Sequence, residues 1–156
     1  MNKNENTLVN TPTKVDNYVY SLNMILICMY IGGPIAGCYL MYKNFLKINK
    51  PKAAKIILWM GILALPIYFL LLYVLLGVLN LSFLNKINIP QYSIPILYTS
   101  LTYWFVKIYQ MPKVKDLVNK GYVYYSWLNV IGVILVSLFI SALMYGFLFI
   151  LAALGF

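Results

Sequence analysis

The residues best suited to chemistry in this chain are lysines. Lys43, Lys47 and Lys50 recur at i, i+4 and i+7, and Lys52 and Lys55 complete a turn without a single acid. Ammonium groups at helical spacing, with Phe45, Leu46 and Ile48 on the other side, suit a bilayer surface. The lysines can reach anionic headgroups while the apolar side chains enter the acyl region. A second basic run, Lys107, Lys113, Lys115 and Lys120, is offset only by Asp116.

Other chemistries lack their parts. There is no histidine, and the three acids are Glu5, Asp16 and Asp116. Asp16 and Asp116 are predicted on opposite sides of a membrane, so they cannot act together as acid and base. An enzyme is not expected, and neither is a cofactor. Cys28 and Cys38 lie ten residues apart in one predicted helix, about 15 Å along its axis and about 80° apart in direction. They cannot bridge each other and read as buried small hydrophobes, leaving little from which a zinc or haem site could be built. The net charge of +9 would fit nucleic acid, but the chain has no arginine, the usual choice for bidentate phosphate and base recognition. Nucleic acid is not an expected partner.

The elements that must position the lysines are apolar. At 63% hydrophobic and 10% charged residues, the 156-residue chain departs far from the roughly 45–50% and 25% of soluble domains. Four segments, about residues 18–42, 56–80, 93–110 and 126–154, are read as spans of one all-α transmembrane domain, residues 18–156, preceded by a flexible polar tail, residues 1–17. The expected architecture is a four-helix bundle in the membrane. A signal peptide would need a basic region, a short apolar run and a cleavage site, whereas the first apolar run here is longer and continues into GGPIAG, so no cleavage is expected. Residues 43–55 carry five lysines and residues 107–120 four, against Lys86 alone in the middle loop. By the positive-inside rule the two rich turns face the cytoplasm and both termini lie outside, provided that the third segment crosses.

Each span has its own signals. In the first, Gly32, Gly33, Ala36 and Gly37 form a small-residue face, with Gly33 and Gly37 in GxxxG spacing, and Pro34 is expected to kink the helix. The face would pack on another helix of the chain or on a partner. Past Tyr42 the helix is expected to continue until Pro51, so that Lys43, Lys47 and Lys50 share a face. Trp59 suits an interfacial anchor of the second span, and Trp127 does the same for the last. The third is the most polar, with Thr99, Ser100 and Thr102 between Tyr98 and Tyr103, and residues 112–121 read as a separate amphipathic helix between Pro112 and Gly121.

Where GGPIAG runs into YKNF and the lysine-rich turn, and where IPILYT precedes an aromatic segment, the chain resembles a group of small bacterial multi-pass membrane proteins. Those carry GGP-x-AG, K/Q-NF and IP-x-x-Y-T elements, and the resemblance extends over roughly residues 31–127. Lys47 and Ile48 replace the group's usual Leu-Gly after the NF element, and Cys38 stands where a small residue is common. The resemblance implies a protein of the bacterial cytoplasmic membrane and brings no catalytic residue.

Coupled transport usually leaves ionisable groups within the spans, and here only Lys107, near an end, is one. Two functional classes follow. The first is a non-enzymatic membrane protein acting through helix–helix contact with a membrane partner or itself, as a regulator, accessory subunit or immunity factor, with anionic lipid at its basic side. The second is a self-assembling pore or membrane-disrupting effector, lined by Thr99, Ser100 and Thr102.

Overall fold

The computed structural model describes residues 17–74 and 93–153. The tail up to Asp16, the end of the second expected span from Leu75, the loop with Lys86, and the last three residues lie outside the described residues.

The fold is decided inside its first helix. Helix α1 (Leu22–Lys47) starts at Ser21, whose Oγ accepts the Met24 N–H at 3.3 Å, and its helical geometry is broken at Gly33, with φ 78° and ψ −175°. Pro34 is one cause, because its ring disfavours helical geometry in the residue before it. Glycine is the other, because a positive φ with extended ψ is essentially closed to residues bearing a Cβ. The chain therefore folds back on itself. Tyr20 and Asn44, about 36 Å apart in an unbroken helix, are joined by two hydrogen bonds of 2.7 and 2.8 Å. Met29 likewise lies against Gly37, where an added Cβ would come within 2.6 Å of its Cε.

Among the described residues three helices are long and apolar enough to cross a membrane: Leu22–Lys47, Pro51–Tyr68 and Trp127–Phe147. The first divides its length between two antiparallel arms, residues 22–32 and 34–47, of about 16 and 21 Å. The segment expected as the first span is thus bent back on itself. Asn17–Tyr20 and the lysine-rich turn lie at one end of the molecule, whereas the sequence reading placed them on opposite sides.

The turn after α1 is a Schellman motif. Lys50 N–H bonds the Phe45 carbonyl at 2.9 Å and Asn49 N–H bonds that of Leu46 at 3.1 Å, with Asn49 at φ 58°. Helix α2 (Pro51–Tyr73) then starts on Pro51, whose missing N–H costs nothing in the first turn. It crosses the second arm of α1 at Gly61, where an added Cβ would lie 2.5 Å from Cys38 Cβ and 3.0 Å from the Pro34 carbonyl oxygen.

Helix α3 (Ser93–Phe105) runs through one π-helical turn (Val106–Gln110) directly into α4 (Met111–Asn119). The Met111 N–H bonds the Val106 carbonyl, so the turn is one residue wider than an α-helix, just before Pro112 would clash with its i−4 carbonyl. The third segment and the expected separate amphipathic helix are thus continuous. Helix α4 closes on Gly121, φ 95°, and the chain enters a two-residue strand β2 (Val123–Tyr124). It pairs in parallel with β1 (Tyr18–Val19), in the register Tyr18 to Val123 and Val19 to Tyr124. Each strand leads into a helix, β1 into α1 and β2 into α5 (Trp127–Ala153), so those helices leave the same end together.

The α1 hairpin is the hub, touched by α2, α3 and α5. Apart from the strand pair the chain is all-α, as expected. Its core lies towards the strand end, where Val19, Ile25, Leu40, Val106, Val114 and Val130 are fully buried. The outer faces of α2 and α5, with Trp59, Met60, Leu63, Leu135, Phe139 and Leu143, are bare.

Candidate functional site at the lysine-rich end

Two buried amides tie this end together. Asn44 Oδ1 accepts the Tyr20 N–H at 2.7 Å, and its Nδ2 donates to the Tyr20 carbonyl at 2.8 Å. One donor and one acceptor on the same residue fix the orientation of the amide. The side chain acts as a short strand partner, satisfying the backbone where it passes from β1 to α1. Gln110, brought inward by the π turn, donates from Nε2 to the Met41 carbonyl at 3.0 Å, while its buried Oε1 has no hydrogen-bond partner. The base of the hairpin is therefore bonded to the strand segment on one side and to the α3–α4 helix on the other.

Aromatic rings close the same region. Tyr125 stacks on Tyr20 with centroids 4.4 Å apart and meets Tyr18 at 5.2 Å, and Phe45 meets Phe105 at 6.3 Å. These contacts, with the Gln110 bond, bring residues 43–55 and 107–120 to one end. Among the described residues, their nine lysines share it with one acid, Asp116.

The lysines are placed in different ways. Lys43 is half-buried, its ammonium 5.7 Å from the centroid of the Tyr39 ring. Lys47 is half-buried in the last turn of α1, and the exposed Lys50 lies beyond the helix end, so the three do not form one continuous helical face. Lys50 instead meets Lys113 of α4, and this contact and its like charge hold the Lys113 pKa below the ordinary lysine value. Lys52 and Lys55 are exposed on the first turns of α2. Lys107 Nζ donates to the Tyr103 hydroxyl at 2.7 Å. An apolar groove of about 660 Å³ opens over the second arm, lined by Tyr39, whose ring Lys43 approaches, by Leu58 and Ile62, and by Val136, Ile140 and Met144 of α5.

The small-residue face is divided by the fold. Gly33 is the turn itself, with nothing near its missing Cβ, so it shares no helix face with Gly37. Gly37 faces Met29 of the opposite arm, and Gly32 faces Ala36 and the Ile134 backbone of α5, where an added Cβ would lie 3.3 Å from Cα. Ala36 is fully buried. In α3, Thr99 Oγ1 is buried without a partner, Thr102 is half-buried and Ser100 is exposed. Thr99 and Ser100 line a cavity of about 330 Å³ with Leu26, Tyr30 and Tyr103.

Sequence reasoning missed Asn44 and Gln110 as organising residues. Asn44 had a signal, as the polar member of the NF element amid apolar helix, whereas Gln110 had only its place beside a helix-interrupting Met-Pro pair. Cys28 and Cys38 are both buried free thiols, and among the described residues no group of His, Cys, Asp and Glu could hold a metal ion. Compared with protein-family models, curated proteins and solved structures, the chain matches none of them.

Proposed function

We propose that this chain is a non-enzymatic protein of the bacterial cytoplasmic membrane, lying with its lysine-rich end at the cytoplasmic surface, that acts through contact with anionic lipid and a membrane partner or second copy. The convergence of nine lysines on one end, with Asp116 the one acid there among the described residues, carries the reading. By the positive-inside rule that end faces the cytoplasm, where anionic lipid attracts each lysine near the surface by about 1 kcal/mol. The N-terminal strand then lies on the cytoplasmic side, because Asn44 holds it there. The groove over the second arm suits an acyl chain whose headgroup meets the Lys43 ammonium. The bare faces of α2 and α5 are left for lipid or a partner, since the glycine contacts at Gly32, Gly37 and Gly61 are satisfied within the chain.

The test uses the full chain in neutral detergent. Phosphatidylglycerol should raise its melting temperature more than phosphatidylcholine, and this difference should disappear in high salt and in the Lys43→Gln/Lys47→Gln/Lys50→Gln variant. Equal stabilisation by both lipids would remove headgroup recognition from the reading. Cross-linking in native membranes tests the contact half, and recovery of monomer alone would argue against a partner or second copy.

A further inference from the structure

The hairpin turns about 16 Å from its base, close to the middle of a hydrocarbon core about 30 Å thick. Backbone that leaves regular helix at such depth is tolerated only inside protein or beside a polar cavity. Here the turn lines a cavity of about 530 Å³, walled by Tyr30 and Gly33 of α1, Tyr68 of α2, Tyr98 of α3, and Ser141 and Tyr145 of α5.

Among the described residues four tyrosines from four helices line this cavity, and no lysine does. Its α1 wall holds the carbonyl end of the first arm beside the N-terminal end of the second, so the two helix dipoles offset each other there and the side chains decide the sign. Ring faces and phenol oxygens favour positive charge, and the aliphatic walls, with Ile31, Leu65, Ile94 and Leu138, favour alkyl groups. With no carboxylate to balance the charge, the suited cation is one that loses its water easily and spreads its charge over alkyl groups. A compact, strongly hydrated ion would lose more on leaving water than hydroxyls and rings return.

We propose that the cavity beneath the hairpin turn is a binding site for a small organic ammonium ion, held by the rings of Tyr30, Tyr68, Tyr98 and Tyr145 with its alkyl groups against the aliphatic walls. It is separate from the lipid contact at the lysine-rich end and does not depend on it.

The experiment is calorimetric titration of the purified full chain in nanodiscs with tetraethylammonium chloride, against sodium and potassium chloride at equal ionic strength and empty nanodiscs as blanks. A saturable heat with tetraethylammonium alone is expected. Tyr98→Leu should weaken binding about tenfold, whereas Tyr98→Phe, which keeps the ring and loses the hydroxyl, should stay within about threefold. If Tyr98→Leu does not fold, the same comparison is made with Tyr145→Leu and Tyr145→Phe. Three results would overturn the proposal: no saturable heat with tetraethylammonium, equal losses in the Phe and Leu variants, or competition by potassium as strong as binding itself.

Discussion

The base and the turn of the α1 hairpin solve opposite problems. At the base, backbone polar groups are met by buried side-chain amides, and Val19, Leu40, Asn44 and Gln110 are fully buried. At the turn, Gly33 has open space around it and the neighbouring residues line a cavity. The stability of a hairpin that folds back can therefore reside where its ends meet, leaving the turn free to face a ligand or water. The most direct way to break this comparison is to ask whether the two ends do meet. Cysteines introduced at Asn17 and at Lys52, both exposed, should be labelled by a membrane-impermeant thiol reagent from the same face, with buried Cys28 and Cys38 as unreactive controls. The expected effect is all or none, and labelling from opposite faces would restore a single straight crossing.

The next largest effect belongs to Asn44. Asn44→Leu keeps the volume roughly constant and removes both bonds to the buried Tyr20 backbone. The loss should be about 2–5 kcal/mol in reversible unfolding from mixed micelles. The cost should fall at the base, so thiol labelling of Cys28 should speed up along with the loss. A loss under about 1 kcal/mol would mean that water replaces the amide and that the clasp is not what closes the hairpin.

Much of this was legible in the sequence, but not the path of the first segment. The apolar runs, the Trp and Lys flanks and the all-α class follow from composition and period, which depend on each residue's own chemistry. GGPIAG was legible as a site of close packing and of a proline kink, and Gly37 does lie close to a neighbour. A kink and a full reversal have the same local signals, however. What separates them is a bond between residues 24 positions apart, which periodicity cannot register. The expected topology combined the lysine count with a helix assumed to be straight, and the bond between Tyr20 and Asn44 is what that assumption leaves out. The GGP and NF elements of the resemblance turn out to be the turn and the clasp of the same hairpin. Gln110 was hidden for a different reason, because only the extra residue of the π turn carries it inward.

A smaller effect separates conformation from space among the glycines. Gly33→Ala places a Cβ where nothing lies within 4 Å, so its cost is backbone strain alone, about 1–3 kcal/mol, and no truncation of a neighbour should recover it. Gly37→Ala instead drives a Cβ against the Met29 side chain, with contacts of 2.6 to 2.9 Å. Its cost should largely vanish in the Gly37→Ala/Met29→Ala pair, read as the melting temperature in detergent. Rescue of Gly33→Ala by Met29→Ala, or no rescue of Gly37→Ala, would show that the arms are packed differently.

The smallest effect lies at the exposed surface of the base, where Lys50 and Lys113 meet. Their contact, and then their like charge, hold the Lys113 pKa below its ordinary value of 10.5. Because the folded chain releases this proton before the unfolded chain does, the unfolded state binds more protons in the window just below 10.5, and stability should rise with pH there. Lys50→Gln should return the Lys113 pKa towards the ordinary value and flatten that slope, as read by the ¹³C shifts of reductively methylated lysines. Anionic lipid should act in the same direction, since a phosphate bridging two ammoniums favours both charges. If Lys50→Gln moves the Lys113 pKa and phosphatidylglycerol does not, the two lysines are only neighbours, and headgroup contact belongs to Lys43 and the groove over the second arm. If both move it, the pair is itself a phosphate contact, and the comparison sharpens: the base would join its own chain through amides and the membrane through a charge pair that is strained until an anion arrives.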